Sequence, residues 1–483
     1  MSARVVTEPR MLIGGQWSAA ASGEVFETID PSTGSLLARV PRADEKDVDR
    51  AVAAAVAAAP AWGRMDARAR GRLLLEVAHR MREKSERLAT LDALDAGIPL
   101  RVARADVGRG IERLEYFAEL AQEVKGETYP TARGSFIYTL RQPYGVVAVV
   151  NPFNHPVMFA LSKPAAPLAA GNTVVVKPPE QAPLSTVEMA EIFAEVLPPG
   201  VFNVVTGLGP STGAALVRHP AVRKISFTGS VRTGQAILAA TAANVVPAVL
   251  ELGGKNANIV FPDADLERAV QGAVGGMSLG VCGQSCQSGT RLFLHRQIHD
   301  EFVQRLVARL NEVRVGVALD ESTEMGPMIS ARQLETVLSY VEDGRRAGAR
   351  LLAGGSALED VPLQGGFFIR PTVFDGVDMS MRIAREEIFG PILSILVWDD
   401  RDDMIKAVNS LEYGLTASVW SQNVEAHEIV REIEAGYVYI NQHGGSALGV
   451  PFGGWKQSGM GVEHSRDELL DYTRIKTVDA RVP

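Results

Sequence analysis

Up to about residue 122 the apolar positions recur mainly at helical spacing, and this first third reads as largely helical. Asp44 offers an N-cap for a helix running to about Ala59. A long amphipathic pattern follows over 67–96, closed by Gly97 and Pro99, and another spans 102–122. Residues 135–141 then alternate, which places Phe136, Tyr138 and Leu140 on one face of an exposed strand. From Val146 short apolar runs and helical stretches take turns. Residues 146–150, 173–176, 202–205, 224–228 and 246–250 predict buried strands, with helices near 158–170, 185–197, 212–217 and 234–242 between them. This alternation predicts a parallel, doubly wound sheet, whose ligands sit at the carboxyl ends of the strands. A second strand–helix series runs from 259–261 to about Ile440, and the Gly/Pro/Ser-rich stretch 354–366 reads as a surface loop.

Composition narrows the class. At roughly 150 residues per domain, 483 residues predict about three structural units. Lys and Arg number 49 against 57 Asp and Glu, and a net charge of −8 argues against a general nucleic-acid binder. A hydrophobic share of 46% suits a globular core. The only cysteines are Cys282 and Cys286, which excludes a secreted disulfide scaffold. Glu8, Pro9, Arg10 and Gln16 interrupt any apolar leader, and 236–250 is broken by Thr241, Asn244 and Pro247, so neither a signal peptide nor a membrane span is expected. The expected location is cytoplasmic.

Several turns offer chemistry. Gly207-Leu-Gly209-Pro-Ser-Thr-Gly213 and Phe227-Thr-Gly229-Ser230 follow strands and open helices, where backbone amides can meet a phosphate. Either turn also reads as a plain tight turn. Lys177-Pro178-Pro-Glu180 closes a strand and suits a ribose, or else is a charged surface turn. Cys286 lies in the polar, glycine-flanked segment Gly283-Gln-Ser-Cys-Gln-Ser-Gly289, fit for an exposed, deprotonated nucleophile or for an inert thiol. A metal set of Cys282, Cys286, His295 and His299 is weakened by its short spacing, and no metal is expected. Glu251 follows an apolar strand and precedes Gly253-Gly254. Partial desolvation there would raise its pKa toward that of a general base; otherwise it is an acidic residue at the start of a loop.

Five motifs occur in order: Asn151-Pro-Phe-Asn154-His-Pro156, Glu251-Leu-Gly-Gly-Lys255, Gly283-Gln-Ser-Cys286, Glu386-Glu-Ile-Phe-Gly-Pro391 and Pro451-Phe-Gly-Gly-Trp-Lys456-Gln-Ser-Gly459. Together they resemble the signature set of the NAD(P)-dependent aldehyde dehydrogenase superfamily, from about Ile13 to the C-terminus. The resemblance implies two doubly wound, Rossmann-like α/β domains with a small β oligomerisation arm. The implied NAD-binding domain covers 1–123 and 143–252, and the catalytic domain covers 253–440. A return segment spans 441–467, and the arm takes 124–142 and 468–483. It implies a homodimer or homotetramer, a small-molecule aldehyde as substrate, and no nucleic-acid or membrane partner.

It also implies roles. Cys286 is the nucleophile that passes through a thiohemiacetal and a thioester, Asn154 holds the oxyanion, and Glu251 activates the hydrolytic water. Lys163 and Glu463 relay its proton. Lys177, Pro178 and Glu180 meet the adenine ribose, Gly209 the adenine end, and Gly229 and Ser230 the pyrophosphate. Glu387 and Phe389 hold the nicotinamide ribose, with Phe153 and Leu252 nearby. Glu180 favours NAD over NADP by repelling a 2′-phosphate. The substrate funnel falls to His155, Met158, Phe159, Ser162, Ser285, Gln287, Gly444 and Ser446. Small residues at Ser162 and across 444–446 imply a wide mouth and a bulky hydrophobic aldehyde, aromatic or terpenoid, because these segments hold no arginine to clamp a carboxylate. A semialdehyde of small-acid metabolism is the alternative. From a different class, a cofactor-independent cysteine hydrolase or a non-catalytic scaffold remains. The chain departs from the family pattern at His155, at Gly280-Val-Cys282, at Val462, and by one extra residue between Glu251 and Cys286.

Overall fold

The computed structural model of the chain describes residues 9–131, 135–358 and 364–481. Parts of the predicted arm (132–134, 482–483), of the loop 354–366 and of the N-terminus lie outside the described residues.

Runs of β-branched residues form strands when both sheet faces can be buried. Val146–Val150 and Thr173–Lys177 are of this kind and form the centre of an eight-stranded sheet. Its order is Gln16–Ser18, Met11–Ile13, Phe202–Val204, Thr173–Lys177, Val146–Val150, Val222–Thr228, Ala248–Glu251 and Gly459–Met460. The strands from Phe202–Val204 to Ala248–Glu251 are parallel, as the strand–helix alternation predicts. The outer strands are antiparallel. A seven-stranded sheet follows in the order Arg350–Ala353, Thr372–Asp375, Ile392–Trp398, Arg291–His295, Ala257–Val260, Thr416–Trp420 and Tyr437–Ile440. Each sheet has its own apolar core. Thr473–Arg481, Ser135–Pro143 and Thr128–Tyr129 make a separate three-stranded sheet.

The helical reading of the first third needs correction. Four short strands, Met11–Ile13, Gln16–Ser18, Val25–Ile29 and Leu36–Pro41, precede the helices, and they are too short for their alternation to register in the sequence. The Asp44 cap forms, with its side chain accepting from Lys46 N and Asp47 N, but the helix continues through Pro60 to Arg64. The pattern over 67–96 is two helices, Ala67–Glu83 and Ser85–Ala96, broken at Lys84. Gly97 ends the second at φ +71°, where a Cβ would also lie 2.7 Å from the Pro327 ring. The helix expected near 158–170 is likewise two, Pro156–Ser162 and Ala165–Ala169, because Pro164 lacks the N–H that would continue the first. Among the described residues no helix is long and apolar enough to cross a membrane.

Trp62 ties the helix Glu45–Arg64 to the main sheet's core. It is 1% exposed, and its indole N–H donates to the Leu168 carbonyl at 3.1 Å. Trp62→Ala opens a cavity and removes that bond, so it should cost about 4 kcal/mol; an unchanged urea midpoint would contradict this packing.

Candidate active site

The carboxyl ends of the parallel strands open onto one cavity of about 780 Å³. Asn151–Asn154 follows one strand, Lys177 ends another, and Gly229 and Ser230 follow a third, while Glu251 is the last residue of a fourth. Cys286 enters from the opposite domain on the loop between the turn Leu279–Val281 and the strand Arg291–His295. Asn256 Nδ2 fixes that loop by donating to the carbonyls of Cys286 (2.7 Å) and Ser288 (3.0 Å).

Asn154, Glu251 and Cys286 share this cavity. Glu251 is buried and neither carboxylate oxygen has a hydrogen-bond partner of good geometry. Burial pushes its pKa to about 7, with Lys163 opposing and Glu463 reinforcing the shift. The Cys286 thiol faces this carboxylate, and burial together with the Glu251 charge pushes the thiol well above its ordinary value. Cys286 is only partly buried, and the shift of its thiol runs against the deprotonated form that its polar neighbours suggest. Asn154 Nδ2 donates one bond, to the Gln284 carbonyl at 2.8 Å, and its Oδ1 is buried without a partner. Lys163 and Glu463 form a buried ion pair outside the cavity wall. Glu463 is pinned there by backbone bonds to Phe452 in both directions, 3.0 and 2.7 Å.

At the far end, Lys177 donates to Glu180 Oε2 at 3.1 Å and to the Pro178 carbonyl at 2.9 Å. Burial lowers the lysine pKa while Glu180 opposes the shift. Pro178 thus contributes a backbone oxygen without lining the cavity. Gly209 lies beside Glu180 on a five-residue turn, Gly209–Gly213. Ser230 caps the helix Val231–Ala242 by accepting from Thr233 N at 3.3 Å. That helix offers its unpaired first-turn N–H groups beside the cavity. Leu252 packs under Gly234 and is held by Ser458, away from the cavity. Glu387 accepts from Gly254 N at 3.1 Å, and burial raises its pKa to about 7. Phe389 adopts φ +54° and meets Phe153 edge-on at 5.7 Å.

Several lining residues are not singled out by the sequence. Gln333 Nε2 donates to the carbonyls of Ile388 (3.2 Å) and Phe389 (3.0 Å), which supports the strained backbone there. Arg218, Arg232 and Arg332 also line the cavity, as does Asn151, whose side-chain polar atoms are buried without partners. Gln333 and Arg332 belong to the helix Ala331–Arg346, whose only sequence signal is an ordinary amphipathic pattern.

The funnel residues lie outside this cavity wall. Met158, Phe159 and Ser162 are buried on the helix Pro156–Ser162, and the Ser162 hydroxyl has no partner. His155 Nδ1 lies 2.7 Å from the buried Asp106 carboxylate. Gln287 N donates to Ser285 Oγ at 3.2 Å, and the Tyr439 hydroxyl donates to Gln287 Oε1 at 3.3 Å. Gly444 turns at φ +82°, and Ser446 Oγ lies 2.9 Å from His464 Nδ1. The funnel segments indeed lack arginine, but the helix Leu100–Leu120 brings Arg109 beside His155 through Asp106. Cys282 is buried 3.3 Å from the Met328 sulfur, and the described residues hold no cluster of three metal-ligating side chains.

Known proteins share this architecture. An aldehyde dehydrogenase from Bacillus cereus in its NAD+ complex is 40% identical, covering 100% of this chain and 98% of that one at a TM-score of 0.97. The indole-3-acetaldehyde dehydrogenase of Pseudomonas syringae, solved with NAD+ and IAA, is 37% identical over 99% and 97% at 0.96. Betaine aldehyde dehydrogenase of Staphylococcus aureus with NAD+ is 34% identical over 99% and 95%, also at 0.96. The family profile matches residues 17–478. A match over nearly the whole chain, on the fold and motifs described above, means that the chain belongs to the aldehyde dehydrogenase family.

Proposed function

We propose that the protein oxidises an aldehyde to a carboxylic acid with NAD, through a covalent adduct on Cys286. One observation carries the reading: Cys286, Glu251 and Asn154 line the same cavity as a second group, Lys177, Glu180 and Ser230. A cysteine hydrolase leaves that second group without a purpose, and His295 packs edge-on against Trp398, 4.6 Å between centroids, rather than serving as a base. The relatives solved with NAD+ support the cofactor assignment.

The cavity fits a dinucleotide. An anion finds the helix start at Ser230 with Arg218, Arg232 and Arg332, and a ribose finds the Lys177–Glu180 pair. Glu387, on the Phe389 side, suits the second ribose. Bound NAD supplies the two-electron acceptor. The chain's residues do the rest. Glu251 accepts the Cys286 proton as sulfur adds to the carbonyl carbon, and the Asn154 amide turns from Gln284 to the developing oxyanion. Preorganised donors of this type are worth about 3 kcal/mol. Loss of hydride from that carbon leaves a thioester; Glu251, once it has passed on the thiol proton, takes a proton from the attacking water, and the C–S bond breaks to give the carboxylic acid and free Cys286. The Lys163–Glu463 pair holds the field around Glu251 and passes the proton outward. Met158 and Phe159 give the funnel an apolar wall, which favours an aromatic aldehyde; the Pseudomonas syringae relative is named for one. Phe136, Leu140 and Ile475 are exposed on the three-stranded sheet and suit cover by a second copy of the chain.

Three outcomes follow from these roles. Cys286→Ala should abolish NADH formation from any aldehyde, whereas Glu251→Gln, which removes the base but also the charge that opposes ionisation of the thiol, should still complete a first turnover and slow the steady rate by about 100-fold; a wild-type steady rate in Glu251→Gln would remove the base role. Protonated Glu251 cannot accept a proton, so kcat should fall below pH about 7 and level off above it. That limb should vanish in Glu251→Gln, and its persistence would assign it elsewhere. With NAD and NADP compared at equal aldehyde, kcat/KM should favour NAD by about 10-fold or more, and Glu180→Ser should narrow the gap by removing the repulsion; a gap unmoved by this change would contradict the role of Glu180.

A further inference from the structure

Three carbonyls follow the nucleophile in succession, at Cys286, Gln287 and Ser288. Asn256 holds the first and third, and its own Oδ1 accepts from Thr416 N at 3.0 Å. The middle one meets His443. Burial pushes the His443 pKa down to about 4, and a bond with the Gln287 backbone opposes the shift. A bond that favours the protonated ring is one the ring donates, so the Gln287 oxygen accepts it. The Gln287 side chain is held as well, since the Tyr439 hydroxyl donates to its Oε1 at 3.3 Å. His443 itself lies outside the cavity lining and belongs to none of the five motifs.

The ring sits in a fitted slot. Ser418 Oγ lies 2.8 Å from His443 Nδ1, and Ser418 stands two residues after Thr416 on the buried strand Thr416–Trp420. One strand therefore braces Asn256 and His443 alike. A Cβ at Gly289 would lie 2.8 Å from the ring's Cε1, too close for any side chain, and Gly276 forms the opposite wall, where a Cβ would lie 3.4 Å away. Gly289 does not have a positive φ, so the ring rather than a turn calls for a glycine there. Its N–H donates to the Gly276 carbonyl at 2.8 Å, which joins the two walls. Near neutrality the ring carries one proton. With that proton directed at the Gln287 oxygen, Nδ1 accepts from the Ser418 hydroxyl. A phenyl ring would fill the slot equally well, so packing alone gives no reason for two polar partners.

We propose that His443 is a positioning residue for Cys286: it fixes the Gln287 carbonyl, so that the three peptide groups after the nucleophile are all clamped and the sulfur stays aligned for attack. This rests on the aldehyde-oxidation reading and adds to it a residue that acts through Gln287 and not on the aldehyde. The reason is geometric. A thiol must approach the carbonyl carbon along one line, and a misplacement of about 1 Å can cost about 100-fold in rate. A middle peptide free to rotate would allow such a displacement even with Asn256 holding the carbonyls on either side. Ser418 orients the ring and so acts one step further back.

Three variants test this with benzaldehyde and NAD. His443→Phe fills the slot without a ring N–H, His443→Gln keeps an amide N–H, and Ser418→Ala frees the ring. For benzaldehyde, kcat/KM should fall by about 30-fold in His443→Phe and by about 5-fold in Ser418→Ala, whereas His443→Gln should recover most of the loss. Ser418→Ala added to His443→Phe should change nothing more, because Ser418 works through the ring. The NAD dissociation constant, and the acid limb of kcat that Glu251 sets near pH 7, should stay as in wild type, which a general loosening of the fold would not allow. Wild-type kcat/KM in His443→Phe, an equal loss in His443→Gln, additive losses in the double variant, a shifted limb or weakened NAD binding overturns the positioning role, while NADH from wild type leaves the oxidation reading standing. No NADH from wild type overturns both.

Discussion

The site depends on one buried charge. Glu251 ends a core strand, paired with Thr228 on one side and Gly459 on the other, so its backbone is fixed by the sheet. Its carboxylate sits in the protein interior without hydrogen-bond donors, an arrangement that favours the neutral form and lifts the pKa to about 7. A surface glutamate would stay ionised and weakly basic. This one can gain and lose a proton near neutrality, at the cost of leaving a buried polar group unsatisfied. Other parts follow from that cost. Lys163 moderates it, Glu463 holds Lys163, and the Phe452–Glu463 bridge holds Glu463. Cys286 shares the enclosure, and the Glu251 charge opposes ionisation of its thiol.

The electrostatic balance of the chain is local. A net charge of −8 coexists with a cavity that collects Lys177, Arg218, Arg232 and Arg332 beside a helix N-terminus. Backbone amides and a few cations give that cavity a local positive potential, which the bulk charge does not set. Near the funnel, Asp106 divides its oxygens between an arginine and a histidine, so one buried carboxylate orients two polar groups.

Much of this was legible in the sequence because it rests on local patterns. Valine-rich runs announced the parallel strands, Asp44 its helix, and the order of five motifs the family. What escaped was set by tertiary contact. Short edge strands such as Met11–Ile13 carry too few residues for a period, and the break at Lys84 leaves the apolar stripe uninterrupted on both sides. The helix expected to end at about Ala59 passes through Pro60 to Arg64. Gln333 and Arg109 sit on ordinary amphipathic helices, and only packing brings the first under Phe389 and the second beside His155. The raised pKa of Cys286 was likewise hidden: its neighbours in sequence are polar, but its neighbour in space is a carboxyl group.

In the proposed reaction Glu251 activates the water that frees Cys286 from a thioester, and the intact mass of the chain tests this most directly. Mixed with NAD and an aromatic aldehyde, Glu251→Gln should gain the mass of one acyl group, carried on the peptide that contains Cys286, while wild type returns to its starting mass. An unmodified Glu251→Gln chain that still forms NADH, or an acyl group on any other residue, would contradict the account.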